Sequence, residues 1–216
     1  MPDRDMIAVI QHTAEVLSPA MWAAHGTALH DADSRLRGLK HETYPALRPL
    51  VARASLREFL MADEVLPSGW RVAGSPQQMG QLIIESDDVT ARFLKESPTV
   101  FPGGVPAAGG NGARQAFWQP SLLEVDSPMR QLNLLLLWDY NTPGRAEDGF
   151  SLRLVHPKGQ GRYQGHTPID ASIPLSDDLN LFKSLRFTDA QRDAQEDFFA
   201  EIDADEAGGQ GHGFAG

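Results

Sequence analysis

Gln131-Leu132-Asn133-Leu134-Leu135-Leu136-Leu137-Trp138 is the most apolar run of the chain, and the rest of the sequence is arranged around it. It is apolar at nearly every position, as a strand buried on both faces should be. A stretch rich in turn residues, Asp139 to Gly149, leads to Phe150-Ser151-Leu152-Arg153-Leu154-Val155. This second run alternates, with Phe150, Leu152 and Leu154 on one face and Ser151 and Arg153 on the other. Two such runs around a loop containing Pro-Gly and Asp-Gly predict a long-looped hairpin or two neighbouring strands. Leu134, Leu136, Trp138, Leu152 and Leu154 are therefore the expected core.

Toward the N terminus the apolar period changes from two to about 3.6. Asp5 to Leu17 carries Met6, Ile7, Val9, Ile10, Ala14 and Leu17 at helical spacing. Ser18-Pro19 reads as the cap and first position of a second helix, with Met21, Trp22, Ala28, Leu29, Ala32, Leu36 and Leu39 on its apolar side. Thr43 is the expected cap of the next helix, and Ser55-Leu56-Arg57-Glu58 matches a capping box that would begin another. Pro67-Ser68-Gly69 ends the helical region, and from Trp70 the pattern is strand-like. Gln81 to Glu85 and Val89 to Leu94 flank a Ser-Asp-Asp turn as a hairpin, and Leu122 to Val125 and Ile169 to Leu175 are further strands. Thr188 to Ile202 reads as a helix anchored by Phe198, Phe199 and Ile202, and the end from Ala207 as disordered.

Helices followed by strands argue for an α+β fold. The expectation is an N-terminal helical layer packed with a mainly antiparallel β-sheet, then a C-terminal helix and a disordered acidic, Gly-rich tail. The corresponding regions are 1–69, 70–206 and 207–216, the first two forming either separate bodies or one domain.

At 216 residues the chain is long enough for one sizeable core or two small ones. Its 41% hydrophobic and 22% charged content is ordinary for a soluble globular protein. The absence of cysteine excludes disulfides, thiolate metal sites and a Cys nucleophile, and suits a cytoplasmic location. Met1 to Asp5 is charged and lacks the apolar core of a targeting segment, and no apolar run is long enough to span a membrane. Residues 189–216 carry −7 of the net charge of −10, so the remainder is close to neutral. The low pI therefore does not exclude nucleic acid, because local patches decide such binding. Seven bases against four acids over residues 35–71 is a modest excess, which reads as a solvated helix face.

The most unusual stretch is Arg92-Phe93-Leu94-Lys95-Glu96, followed by the irregular segment Pro98 to Gly112 with five Gly and three Pro, and then Ala113-Arg114. Loops of this length are either functional or mobile. Glycine lets backbone N–H groups approach an anion, and flanking cations add charge. Arg92, Lys95, Glu96, Gly103, Gly104, Asn111 and Arg114 are accordingly the candidate binding residues, with Lys95 and Arg114 expected to face one surface. No Walker loop or dinucleotide fingerprint is present, and no Gly-x-Ser-x-Gly elbow. His25 and His30, five apart, do not share a helix face, and no His-Glu-x-x-His occurs, so neither a metal nor a cofactor is expected. Glu85, Asp87, Asp88 and Asp139 fall near strand ends with Lys95 close in sequence, where hard oxygen ligands for Mg²⁺ would serve a nuclease. The Asp-x-Glu-x-Lys spacing is absent, however, and Asp87-Asp88 makes a turn by itself.

Phe93-Leu94-Lys95-Glu96, Pro102-Gly103-Gly104-Val105-Pro106, Ala108-Gly109-x-Asn111-x-Ala113-Arg114 and Phe117-Trp118 resemble a block in uncharacterised bacterial proteins encoded beside helix-turn-helix regulators. The resemblance covers residues 92–118 and implies a regulator-linked, toxin–antitoxin-like role, with no catalytic residue attached. Two function classes follow. The first is a cytosolic binding or regulatory protein whose Gly-rich loop contacts a macromolecular partner, a protein foremost. The alternative is a nucleotide- or nucleic-acid-directed enzyme, a toxin-like effector with Lys95, Glu96 and Arg114 in an anion site. Convergence of Lys95, Glu96, Arg114 and Asp139 in one pocket would favour the enzyme. Separated charges beside an exposed apolar patch would favour partner binding.

Overall fold

Ile10, Ala14, Leu17, Met21, Ala24, Ala28 and Ala32 repeat at steps of three and four residues and are all buried. Such a stripe belongs to one long helix. The computed structural model, which describes residues 4–39, 43–62, 65–119, 132–142 and 145–184, forms it as α1 (Arg4–Arg35). The expected restart at Ser18-Pro19 does not occur, and Pro19 lies inside α1. Pro19 and Glu15, whose carbonyl loses its N–H partner, both lie on the exposed side. Water can serve that carbonyl, and burial of the opposite stripe offsets the proline cost. Ser18 faces inward instead, and its Oγ accepts the Ser176 N–H at 3.3 Å.

The second helix, α2 (Leu47–Ala62), is also unbroken. Thr43 does not cap it, because Pro45 and Ala46 form a turn first. Ser55 begins no separate helix; it sits in mid-α2 and donates from Oγ to Asp31 Oδ2 of α1 at 2.5 Å. A tertiary partner has taken the hydroxyl that the capping pattern assigned to the backbone.

Six strands follow: β1 (Arg71–Ala73), β2 (Ile83–Glu85), β3 (Val89–Lys95), β4 (Leu132–Thr142), β5 (Arg145–Pro157) and β6 (Ile169–Leu175). Helix α3 (Gly112–Trp118) lies between β3 and β4, and α4 (Asn180–Ser184) follows β6. The strands form one sheet in sequence order. Every neighbouring pair is antiparallel except β3–β4, which is parallel. The parallel pair needs a crossover, and the Gly-rich loop and α3 belong to it.

The β2–β3 hairpin and the central β4–β5 pair are as the sequence predicts, with Leu136 opposite Leu154 and Trp138 opposite Leu152. The expected loop from Asp139 to Gly149 is mostly strand, since pairing continues through Asp139–Ser151 and Tyr140–Phe150. Polar residues at those positions did not end the strands, because the backbone ladder and the Tyr–Phe pair sustain them.

Register sets the two layers. Phe93, Leu136, Trp138, Leu152 and Leu154 share the face covered by α1, where the His25 ring meets Phe93, Trp138 and Phe150. Leu135, Leu137 and Val155 point the other way and pack with Val105, Ala108 and Trp118 from the crossover. β4 reads apolar at every position from Leu134 to Trp138 because it has a core on each side there. The described residues up to Lys183 form one compact unit. The strand expected at 122–125, the helix at 188–202 and the tail from 207 lie outside the described residues. No helix among the described residues is long and apolar enough to cross a membrane.

His25 is wholly buried, and neither ring nitrogen has a hydrogen-bond partner. Burial lowers its pKa from the ordinary 6.5 to about 3, so the folded protein holds it neutral. An unfolded chain takes up that proton below about pH 6.5, which the folded chain resists. The stability contribution is therefore complete above that pH and is lost as pH falls toward 3. Between pH 7 and pH 5 His25 should account for a loss of about 2 kcal/mol. Urea titrations at both pH values should show a correspondingly smaller loss for His25→Leu than for the parent. Equal losses would refute this assignment.

Candidate functional site: the Gly-rich loop and its anchors

The parallel β3–β4 register brings the end of β3 beside the middle of the central pair, with Lys95 opposite Trp138. The next residue, Glu96, continues the ladder by donating its N–H to Trp138 O at 2.8 Å. Alternation turns its carboxylate to the crossover face, where Arg153 of β5 also points. The two form a forked pair, Arg153 Nε to Glu96 Oε1 at 2.6 Å and Nη2 to Oε2 at 3.1 Å. Arg153 Nη2 also donates to Gly103 O at 2.7 Å, and Nη1 to Ser172 Oγ at 3.2 Å on β6. One guanidinium thus joins β3, β5, β6 and the loop.

Gly104 passes directly under this pair in the left-handed backbone region, with φ +79°. A Cβ there would collide with Glu96 Oε2 and lie 3.3 Å from Arg153 Nη2. Only glycine satisfies both the conformation and the space. The loop is bonded internally as well: Ser97 N–H donates to Gly104 O at 3.0 Å, Phe101 N–H to Ser97 O at 2.8 Å, and Gly104 N–H to Phe101 O at 2.9 Å. Further along, Trp118 Nε1 donates to Pro106 O at 3.0 Å, and Ala108 N–H to Gln160 O at 2.8 Å.

Asn111, a candidate ligand contact in the sequence, caps α3 by accepting the Arg114 N–H at 3.1 Å. The Gly-rich composition hid this short helix, although an Asn before Gly-Ala-Arg-Gln-Ala-Phe-Trp is a start signal. Lys95 does not turn toward the loop. Its ammonium pairs with Asp139 at 2.6 Å and lies over the Trp138 and Tyr140 rings at 5.6 and 5.5 Å. Arg114 lies 5.2 Å over the Trp118 ring, against the crossover core. Lys95 and Arg114 therefore accompany opposite faces of the sheet, while Glu96 is taken by Arg153. Arg92 is half-buried, and its guanidinium pKa is lowered by burial first and then by the neighbouring Arg114 and Arg53 charges.

Sequence reasoning missed Arg153, whose partner is fixed only by the β3–β4 register, and the second loop that borders the first. That loop brings Phe101 and Tyr163 edge to face, with ring centroids 6.2 Å apart, and Tyr163 remains 76% exposed. Beside it a cleft of about 440 Å³ is lined by Gln119, Gln160, Arg162 and His166, with no carboxylate among the described residues. Gly103 is close to this rim, since a Cβ on it would lie 3.4 Å from His166 Nε2. The acids considered for a metal are dispersed: Glu85 pairs with Arg71 at 2.9 Å, Asp139 with Lys95, and Asp87 and Asp88 are exposed in a turn. Among the described residues no three His, Cys, Asp or Glu side chains are grouped to hold a metal ion. Comparison with protein-family models, curated proteins and solved structures finds no match for this chain.

Proposed function

We propose that the chain is a cytosolic binding or regulatory protein that contacts a macromolecular partner through the Gly-rich loop and the bordering loop that carries Arg162 and Tyr163. The observation behind this reading is the use of charge. Glu96 and Lys95, which an enzyme's anion site would have to share with Arg114, are engaged inside the protein by Arg153 and Asp139. The loop that the Glu96–Arg153 pair secures is consequently a preformed surface, and a preformed surface binds at lower ordering cost. Its rim offers an exposed Tyr163 beside Arg162 and His166. Tyr and Arg are the side chains most often dominant at protein interfaces. A cleft whose described lining carries Arg162 and His166 and no carboxylate, flanked by an aromatic, fits an acidic segment of a protein partner bearing an apolar side chain.

The test is capture from host-cell lysate with the full chain, followed by titration of the purified partner against the parent and an Arg162→Ala, Tyr163→Ala double variant. The expected result is at least about tenfold weaker binding by the variant. Its melting should stay within about 0.5 kcal/mol of the parent, as for surface changes. Unchanged affinity in the double variant would overturn the assignment of this surface.

A further inference from the structure

We propose that Arg53, Arg92 and Arg114 together bind a phosphomonoester group, independently of any partner held by the loop surface. The three come from α2, β3 and α3, and Arg92 is the central member. It shares the crossover face with Leu94, which packs against the cluster containing Trp118, the ring under Arg114. On its other side β2 places Ile83 opposite Arg92, and the connection leading into β2 holds Arg53, whose Nη1 donates to Met79 O at 2.9 Å. Arg114 Nη2 is likewise fixed by Ala107 O at 3.4 Å.

Four other arginines pair with acids, Arg35 with Asp31, Arg48 with Asp33, Arg71 with Glu85 and Arg153 with Glu96, and half-buried Arg57 is held by the Ala73 and Gln81 carbonyls. Arg53, Arg92 and Arg114 have no carboxylate partner among the described residues, although all three are half-buried. Gathering partly desolvated like charges destabilises a fold, and burial lowers the pKa of each guanidinium. Recognition of an anion gives such a cluster a purpose. The Nε atom of each is buried and without a partner, so the side-on Nε–Nη fork that suits a planar carboxylate is closed to a ligand. What remains is one Nη each of Arg53 and Arg114, whose other Nη is held by a carbonyl, and the Nη pair of Arg92. Ends arriving from three elements match the three terminal oxygens of a tetrahedral phosphoryl group better than the two of a carboxylate. Arg92 and the two cations whose charges reach it suit one phosphoryl group, whereas a nucleic-acid backbone calls for a stripe of cations.

The experiment is thermal melting of the full chain, at ionic strength held constant with chloride, against sodium phosphate, adenosine 5′-monophosphate, adenosine and a single-stranded oligonucleotide lacking a terminal phosphate. Phosphate and the monophosphate should each raise the melting temperature saturably, and adenosine should not. Tighter binding of the monophosphate would identify a nucleotide as the source of the group, and equal binding the phosphoryl group alone; both outcomes support the site. Arg92→Gln should weaken both ligands at least about tenfold while leaving the unliganded melting temperature equal or higher, because a repelled cation has been removed. Arg114→Gln, on the short outer helix, should weaken them too and guards against misfolding of the strand variant. No saturable shift with phosphate, unchanged binding in both variants, or a marked fall in unliganded stability of Arg92→Gln would overturn the proposal. Tighter binding of the oligonucleotide than of either phosphate ligand would overturn the monoester assignment in favour of a nucleic-acid backbone.

Discussion

Leu136→Ala should lower the unfolding free energy by about 2–5 kcal/mol, the range for a large-to-small change in a core that cannot collapse. Leu136 is completely buried in β4, between Phe93 of β3 and Leu154 of β5 in the strand register. The parallel neighbour on one side and the antiparallel neighbour on the other fix the walls of the cavity that the substitution would open. α1 closes the same face through the rings gathered at His25. Urea denaturation gives the value directly from the midpoint shift at constant slope. A loss below about 0.5 kcal/mol, the scale of a surface change, would be incompatible with β4 as the central strand.

Gly104→Ala should be the most damaging single methyl in the crossover. Its left-handed backbone penalises any Cβ by roughly 1–2 kcal/mol. The added atom also displaces the Glu96 carboxylate from Arg153, leaving partly buried polar groups unmatched at about 1–3 kcal/mol. The two terms overlap, so a loss of about 2–4 kcal/mol is expected from the same denaturation measurement. Gly109→Ala is the control, because it shares a positive φ of 72° but has nothing within 4 Å of its Cβ position. If both variants lost the same amount, the ion pair would contribute nothing to the position of the loop.

These two residues also mark how far the sequence alone could be read. Leu136 was legible, since an uninterrupted apolar run has few solutions other than a strand with a core on each side. The hairpin at Asp87-Asp88 and the β6 segment followed from turn chemistry and alternation in the same way. α1 was misread at Ser18-Pro19 because local start signals say nothing about the sheet that buries the opposite stripe. Gly104 stood out as a glycine, but the reason for it did not. Its neighbour Arg153 lies 57 positions from Glu96, and only the parallel β3–β4 register unites them. The same register sent Lys95 toward Trp138 and Tyr140, away from Arg114, so charges that looked like one anion site became two separate arrangements. Arg92 and Arg114 stayed on the crossover side, and the charge of Arg53, from α2, reaches Arg92, a neighbourhood no local pattern announces.

The preformed loop is most directly tested by amide hydrogen exchange of residues 97–108 in the unbound protein. Gly104 and Ala108 donate their N–H groups to Phe101 O and Gln160 O, and Ser97 donates to Gly104 O, within a turn pinned by Arg153. All three amides should exchange far more slowly than in an unstructured peptide, and Gly104→Ala should release at least the Ser97 and Gly104 amides together. Exchange at unstructured rates in the parent protein would mean a mobile loop, and the preformed binding surface would have to be abandoned.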